Sequence, residues 1–157
     1  MDNKIDNPGV YIPPPLLYVV TFFAAVLIQR LLPLNIPFFH STISKLIGSV
    51  IILLSLVLTF PALRQFFKTK NTLVTIKPAN SLQTTGIYSV SRNPMYVSLL
   101  LIYSGLSFII GNGWNFVLLP FLILLVQEYV IKREEKYLDR RFGQQYADYK
   151  TRVRRWF

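Results

Sequence analysis

The segment ISKLIGSVIILLSLVLTFPAL, residues Ile43–Leu63, carries a single charged side chain, Lys45, and no charged face. A helix of a water-soluble core alternates apolar and polar sides, whereas this one is apolar all round. It is also long enough to cross the ~30 Å hydrocarbon layer of a bilayer. Three further stretches read the same way, giving four expected spans at about 14–32, 43–63, 94–110 and 115–131, with Glu128 the one acid inside them. The shorter spans call for a thinned bilayer or help from flanking residues. The expected class is all-α: a polytopic membrane protein, one domain over residues 1–157, ending in an amphipathic cytoplasmic helix.

The charge pattern orients these spans. Net charge is +10, which in a soluble chain suggests nucleic acid as partner. Here fifteen of the 17 Lys and Arg fall before the first span, between the second and third, or after the fourth. Only Arg30 and Lys45 flank the first outer loop. The positive-inside rule then places both termini and the Arg64–Arg92 loop in the cytoplasm of the cell (inner) membrane. Anionic headgroups account for the basic surface without nucleic acid. The start of the chain lacks the basic n-region of a signal peptide, so the first span is expected to be retained. With no cysteine and one histidine, His40, thiolate chemistry and Cys- or His-rich metal sites are excluded.

Punctuation along the chain sets the remaining expectations. Pro14 and Pro15 suit a first helical turn, Ser41 or Thr42 a cap of the second span, and Pro61 a kink or termination. Gly111-Asn112-Gly113 reads as the turn of a helical hairpin and not as a dinucleotide loop, since no strand precedes it and the third glycine is missing. Phe66–Arg92 is the longest polar stretch, with turn signals at Lys77–Asn80 and Thr84–Gly86, and a connection this long is usually functional. Leu138, Phe142, Tyr146, Tyr149 and Val153 recur every three to four residues as an apolar stripe on a basic helix.

Two clusters can carry chemistry. Gly86–Tyr96 sets Tyr88, Arg92, Asn93 and Tyr96 at the cytoplasmic mouth of the third span, with Asn93 in a favoured capping position before Pro94. Lys132–Leu138 brings Glu134 and Glu135 just beyond the fourth span. Read separately, these are a capped helix start with interfacial aromatics and a solvated helix with i,i+4 pairs. The hairpin makes their ends neighbours, and together they can clamp a charged, aromatic-containing cofactor beside lipid. Glu128, nearly a turn inside the boundary, is a further candidate or a snorkelling carboxylate.

These blocks resemble a known superfamily. Gly86-x-Tyr88 followed by Arg92-Asn93-Pro94-Met95-Tyr96, then Glu134-Glu135-x-x-Leu138, Phe142-Gly143-x-x-Tyr146-x-x-Tyr149 and Val153-x-Arg155, is similar to the signature of the isoprenylcysteine carboxyl methyltransferase and phospholipid methyltransferase superfamily. The resemblance covers residues 77–157. It implies a membrane methyltransferase without a Rossmann domain, using S-adenosylmethionine held at the cytoplasmic helix ends by Asn80, Ser81, Leu82, Gln83, Tyr88, Asn93, Pro94, Met95, Tyr96 and Glu134. The partner it implies is a lipophilic small molecule or lipid arriving from the bilayer. Candidates for the reaction itself are Arg92 toward an acidic acceptor and Glu135 or Glu128 toward an amine. Two departures stand out: Asn93 replaces the histidine of many members, and Val130 replaces the arginine that prenylcysteine enzymes turn toward their substrate carboxylate. A membrane reductase using NADPH, of the sterol reductase type, and a non-catalytic ligand-binding protein are the alternatives.

Overall fold

The computed structural model describes residues 7–69 and 78–157. Lys4, Lys70 and Lys77, part of the basic count above, lie outside the described residues, as does the start of the Lys77–Asn80 turn. The described residues are helical, with no strand among them. Helix α1 spans Pro14–Leu31, α2 Thr42–Lys68, α3 Pro94–Ile110 and α4 Gly113–Leu125. A π-helical segment, Val126–Ile131, joins α4 to α5 (Lys132–Phe142), and α6 (Gln144–Arg152) follows Gly143. Three stretches are long and apolar enough to cross a membrane: α1, α2 and the continuous run from Gly113 through Phe142. Helix α3 is apolar but has 17 residues, ~26 Å at ~1.5 Å per residue. Within the fourth run, five consecutive charged residues, Lys132–Lys136, follow Ile131.

The packing is inverted relative to a soluble bundle. In α2 the buried residues are Ser44, Gly48, Ser55 and Ala62, while Leu46, Leu53, Val57 and Phe60 are exposed. Lipid tails solvate such side chains as well as a protein core does, so close backbone approach and interhelical hydrogen bonds drive the pairing. Helix α2 meets α3 along that small-residue seam. A Cβ at Gly48 would stand 2.5 Å from the Gly105 carbonyl oxygen, and one at Gly105 would stand 2.6 Å from Ile52 Cγ1. Ser44 Oγ donates to Phe108 O at 2.9 Å, Ser98 Oγ to Ser55 O at 3.2 Å, and Thr59 and Ser98 share a hydroxyl hydrogen bond. Helix α1 packs mainly on α4.

Local signals explain most boundaries. Pro14 and Pro15 do open α1, and the Ser41 hydroxyl caps α2 by accepting from Ser44 N–H at 3.1 Å. Gly111 ends α3 at φ 77°, a left-handed cap, against the Phe39 carbonyl. Three expectations are corrected. Of the two readings of Pro61, termination is excluded, since α2 runs seven residues beyond it; helices in lipid tolerate an internal proline. Asn93 makes no capping bond, because its amide donates instead to Arg155 O at 2.9 Å. The C-terminal helix is broken at Gly143, whose φ of 51° interrupts the helical path.

The four helices run alternately up and down. Ile12 N–H donates to Tyr129 Oη at 3.2 Å and Arg133 Nη1 to Gly9 O at 2.9 Å, so the N-terminal segment lies against the end of the fourth run. Arg92 N–H donates to Arg154 O at 3.0 Å, which brings the C-terminal tail to the same end. At the opposite end Trp114 Nε1 donates to Leu32 O at 2.8 Å. The described basic residues other than Arg30 and Lys45 thus gather at one end, where the site lies.

Candidate functional site

A cavity of about 260 Å³ opens at that end, near the small limit of small-molecule sites. Its walls come from Pro8 of the N-terminal segment, Pro14 and Pro15 of α1, Phe66 of α2, the loop 79–83, Tyr88, the start of α3, and α5 with α6.

Helix α3 supplies Pro94, Met95, Tyr96 and Leu99. Tyr96 Oη donates to Glu134 Oε1 at 2.7 Å, so the two clusters meet directly. Glu134 sits there because the π segment changes the register of the fourth run: Lys132 N–H bonds back to Gln127 O instead of to the residue four before it. Val126, Val130 and Ile131 of this segment are fully buried against Tyr18 and Tyr103. Val130 is therefore a core side chain.

Glu134 and Glu135 have different surroundings. Burial pushes the Glu134 carboxyl up to about 7; the Tyr96 hydrogen bond pulls it back and the Glu135 charge adds to the rise. Its second oxygen has no hydrogen-bond partner among the described residues, whereas both oxygens of Glu135 are engaged. Arg155 Nε donates to Glu135 Oε1 at 3.0 Å and Nη2 to Oε2 at 2.7 Å. Arg92 Nη1 adds an ion pair at 3.3 Å. Arg92 Nη1 also reaches Tyr146 Oη at 3.5 Å, and its buried Nε has no hydrogen-bond partner among the described residues.

Tyrosines dominate the remaining wall. Tyr149 Oη donates to Tyr88 O at 2.5 Å, tying α6 to the 3₁₀ turn Gly86–Ser89. Burial raises the phenols of Tyr88, Tyr146 and Tyr149 above their ordinary value, so they remain neutral hydroxyls at pH 7. Tyr137 Oη accepts from Ala79 N–H at 2.8 Å, and Arg141 Nε donates to Ala79 O at 2.8 Å. These two bonds pin the loop that carries Ser81, Leu82 and Gln83. The stripe Leu138, Phe142, Tyr146, Tyr149 and Val153 packs together with Leu82, facing this loop.

The cavity brings together Ser81, Leu82, Gln83, Tyr88, Arg92, Asn93, Pro94, Met95, Tyr96, Glu134 and Glu135. Asn80 is exposed and off the wall, between two residues that line it. Glu128 is outside as well: it is exposed on the π segment and pairs with Lys132 at 2.7 Å. The sequence reading did not single out Tyr137, Phe66, Leu99 or Pro8 as wall residues. Tyr146 and Tyr149 were visible as part of the stripe, but the stripe alone did not say what it covered.

Comparison with known proteins agrees with this architecture. The sequence profile of the family described as phospholipid methyltransferase matches residues 43–145, and the chain belongs to that family, whose members are integral to membranes. A Haemophilus influenzae protein described as uncharacterized is 42% identical over 62 residues, 40% of this chain and 98% of that protein. No solved structure matches.

Proposed function

We propose that this member of the phospholipid methyltransferase family binds S-adenosylmethionine in the cavity beneath α3 and transfers its methyl group to a lipophilic acceptor from the bilayer. The observation that carries this reading is the Tyr96–Glu134 pair at 2.7 Å, set in a wall of neutral tyrosines.

The residues present suit a sulfonium cofactor. Tyrosine faces favour a cation by roughly 0.5–2 kcal/mol, and Glu134 offers a carboxylate to a cationic group. When bound, S-adenosylmethionine supplies an electrophilic methyl carbon. The chain supplies position: Asn93–Tyr96 and Glu134 hold the cofactor from two sides, and a fixed pose can account for a large part of the rate. Glu135 is shared by Arg92 and Arg155, so Arg92 and Glu135 act by holding the two walls together. The proton of an amine acceptor would then pass to Glu134 Oε2, the carboxylate of the cavity not held by arginine. Pro14, Pro15, Phe66, Met95 and Leu99 give the wall an apolar side that suits an acyl or prenyl tail and excludes water.

The orientation belongs to the same reading. The basic end faces the cytoplasm of the cell membrane, where the cofactor is made, and both termini lie there. Reporter fusions at each terminus and within the loop 33–39 test this; a C-terminus on the outer side would contradict it.

The acceptor is tested by incubating purified protein with methyl-labelled S-adenosylmethionine and either a total lipid extract or a farnesylcysteine analogue. Label is expected on lipid. Label confined to the farnesylcysteine analogue would overturn the choice of acceptor, since Val130 lies in the core where the prenylcysteine enzymes carry an arginine.

A further inference from the structure

The last residues of the chain lie beyond the matched stretch 43–145, yet they touch both walls of the cavity. On one side the tail meets the start of α3. Arg92 N–H donates to Arg154 O at 3.0 Å, Asn93 Nδ2 to Arg155 O at 2.9 Å, and Ser91 Oγ to Arg155 O at 3.4 Å. On the other side the Arg155 guanidinium grips Glu135 of α5 through two bonds, 3.0 and 2.7 Å. Arg155 itself does not line the cavity.

Adjacent residues of an α-helix project ~100° apart. Glu135 bonded to the tail and Glu134 bonded to Tyr96 therefore define one rotation of α5. A bidentate arginine–carboxylate pair fixes direction as well as distance. The pair is shielded on the Glu135 side, at 15% side-chain exposure against 31% for Arg155, and Arg92 closes the remaining side of the carboxylate. The Arg155 carbonyl accepts from Asn93 Nδ2 and turns that side chain toward the tail, away from the first turn of α3, which it does not cap.

We propose that Arg155 is a positioning residue, a latch whose side chain sets the rotation of α5 and whose carbonyl sets Asn93, so that Glu134 and the Asn93–Tyr96 segment face the same bound cofactor. The role of the cofactor rests on the function proposed above; the latch itself does not.

The chain contains no cysteine, so a Tyr96→Cys/Glu134→Cys pair gives a unique cross-link across the two walls. It also removes their direct hydrogen bond, leaving the tail to hold the register. In full-length protein in membranes, a short bismaleimide is expected to join the pair efficiently, and adding Arg155→Ala should lower the yield several-fold. Ser44→Ala, which loses a bond in the distant α2–α3 seam, should leave the yield unchanged. Arg155→Lys keeps the charge but not the two-point grip, and an intermediate yield is expected; it decides the matter if Arg155→Ala does not fold. In a second arm without cysteines, Arg155→Ala should weaken S-adenosylmethionine binding by about tenfold, the loss expected for a charge-assisted contact. Arg152→Ala, an exposed arginine bonded within α6 alone among the described residues, should not. Unchanged cross-linking in both Arg155 variants would overturn the latch. Failure of the parent protein to bind S-adenosylmethionine would overturn the function while the cross-link arm still decides the latch.

Discussion

Tyr96, in the first turn of α3, and Glu134, three residues into α5, are 38 positions apart in the chain and joined by a 2.7 Å hydrogen bond from phenol to carboxylate. The bond spans the cavity's two principal walls and places a carboxyl beside neutral tyrosines.

Removing either partner should weaken the cofactor. Glu134→Gln keeps shape but not charge, and Tyr96→Phe keeps the ring but not the donor. Loss of a charge-assisted hydrogen bond costs about 1.5–3 kcal/mol, or roughly ten- to a hundredfold in affinity. Calorimetric titration of each variant with S-adenosylmethionine measures this. Glu128→Gln, outside the cavity, should bind as the parent does.

Glu134 should also give the protein an unusual pH response. Its carboxyl is pushed up to about 7 from 4.5, chiefly by burial, so folding favours the protonated form. The stability this contributes is full below pH 4.5 and is lost as pH rises through about 7. A cationic ligand needs the ionised form, so its affinity should rise across the same upper range. Melting temperature without ligand and cofactor affinity are thus expected to change in opposite directions between pH 6 and 8. Glu134→Gln should flatten both curves.

The α2–α3 seam sets a separate expectation for stability. At Gly48 a side chain would collide with backbone, the Gly105 carbonyl at 2.5 Å, which cannot swing aside. Gly48→Val should therefore destabilise by about 1–3 kcal/mol or more, read as a lowered unfolding midpoint in detergent. Ser49→Ala, on the exposed side of the same helix, should have little effect.

Composition makes the helices legible in the sequence, because uncharged runs of this length have few other homes. The turn at Gly111–Gly113 and the convergence of Tyr96 with Glu134 followed from hairpin connectivity. Other features rest on tertiary contacts with no local signal. Asn93 looks like a cap from its neighbours, and only the returning tail draws its amide to Arg155. The Glu134–Glu135 pair looks symmetrical in sequence; Arg155, twenty residues on, makes the two different. The π segment is equally silent, since Val126–Ile131 reads as ordinary helix, yet its register aims Glu134. Pro61 left open a kink or an end, and only the length of α2 shows that the helix continues past it.

The most direct measurement is a calorimetric titration of the purified full-length protein with S-adenosylmethionine and, in parallel, with NADPH. The account predicts saturable binding of S-adenosylmethionine that is weakened by both Glu134→Ala and Tyr96→Ala, with no binding of NADPH. Preferential binding of NADPH, or S-adenosylmethionine affinity that neither substitution alters, would contradict it.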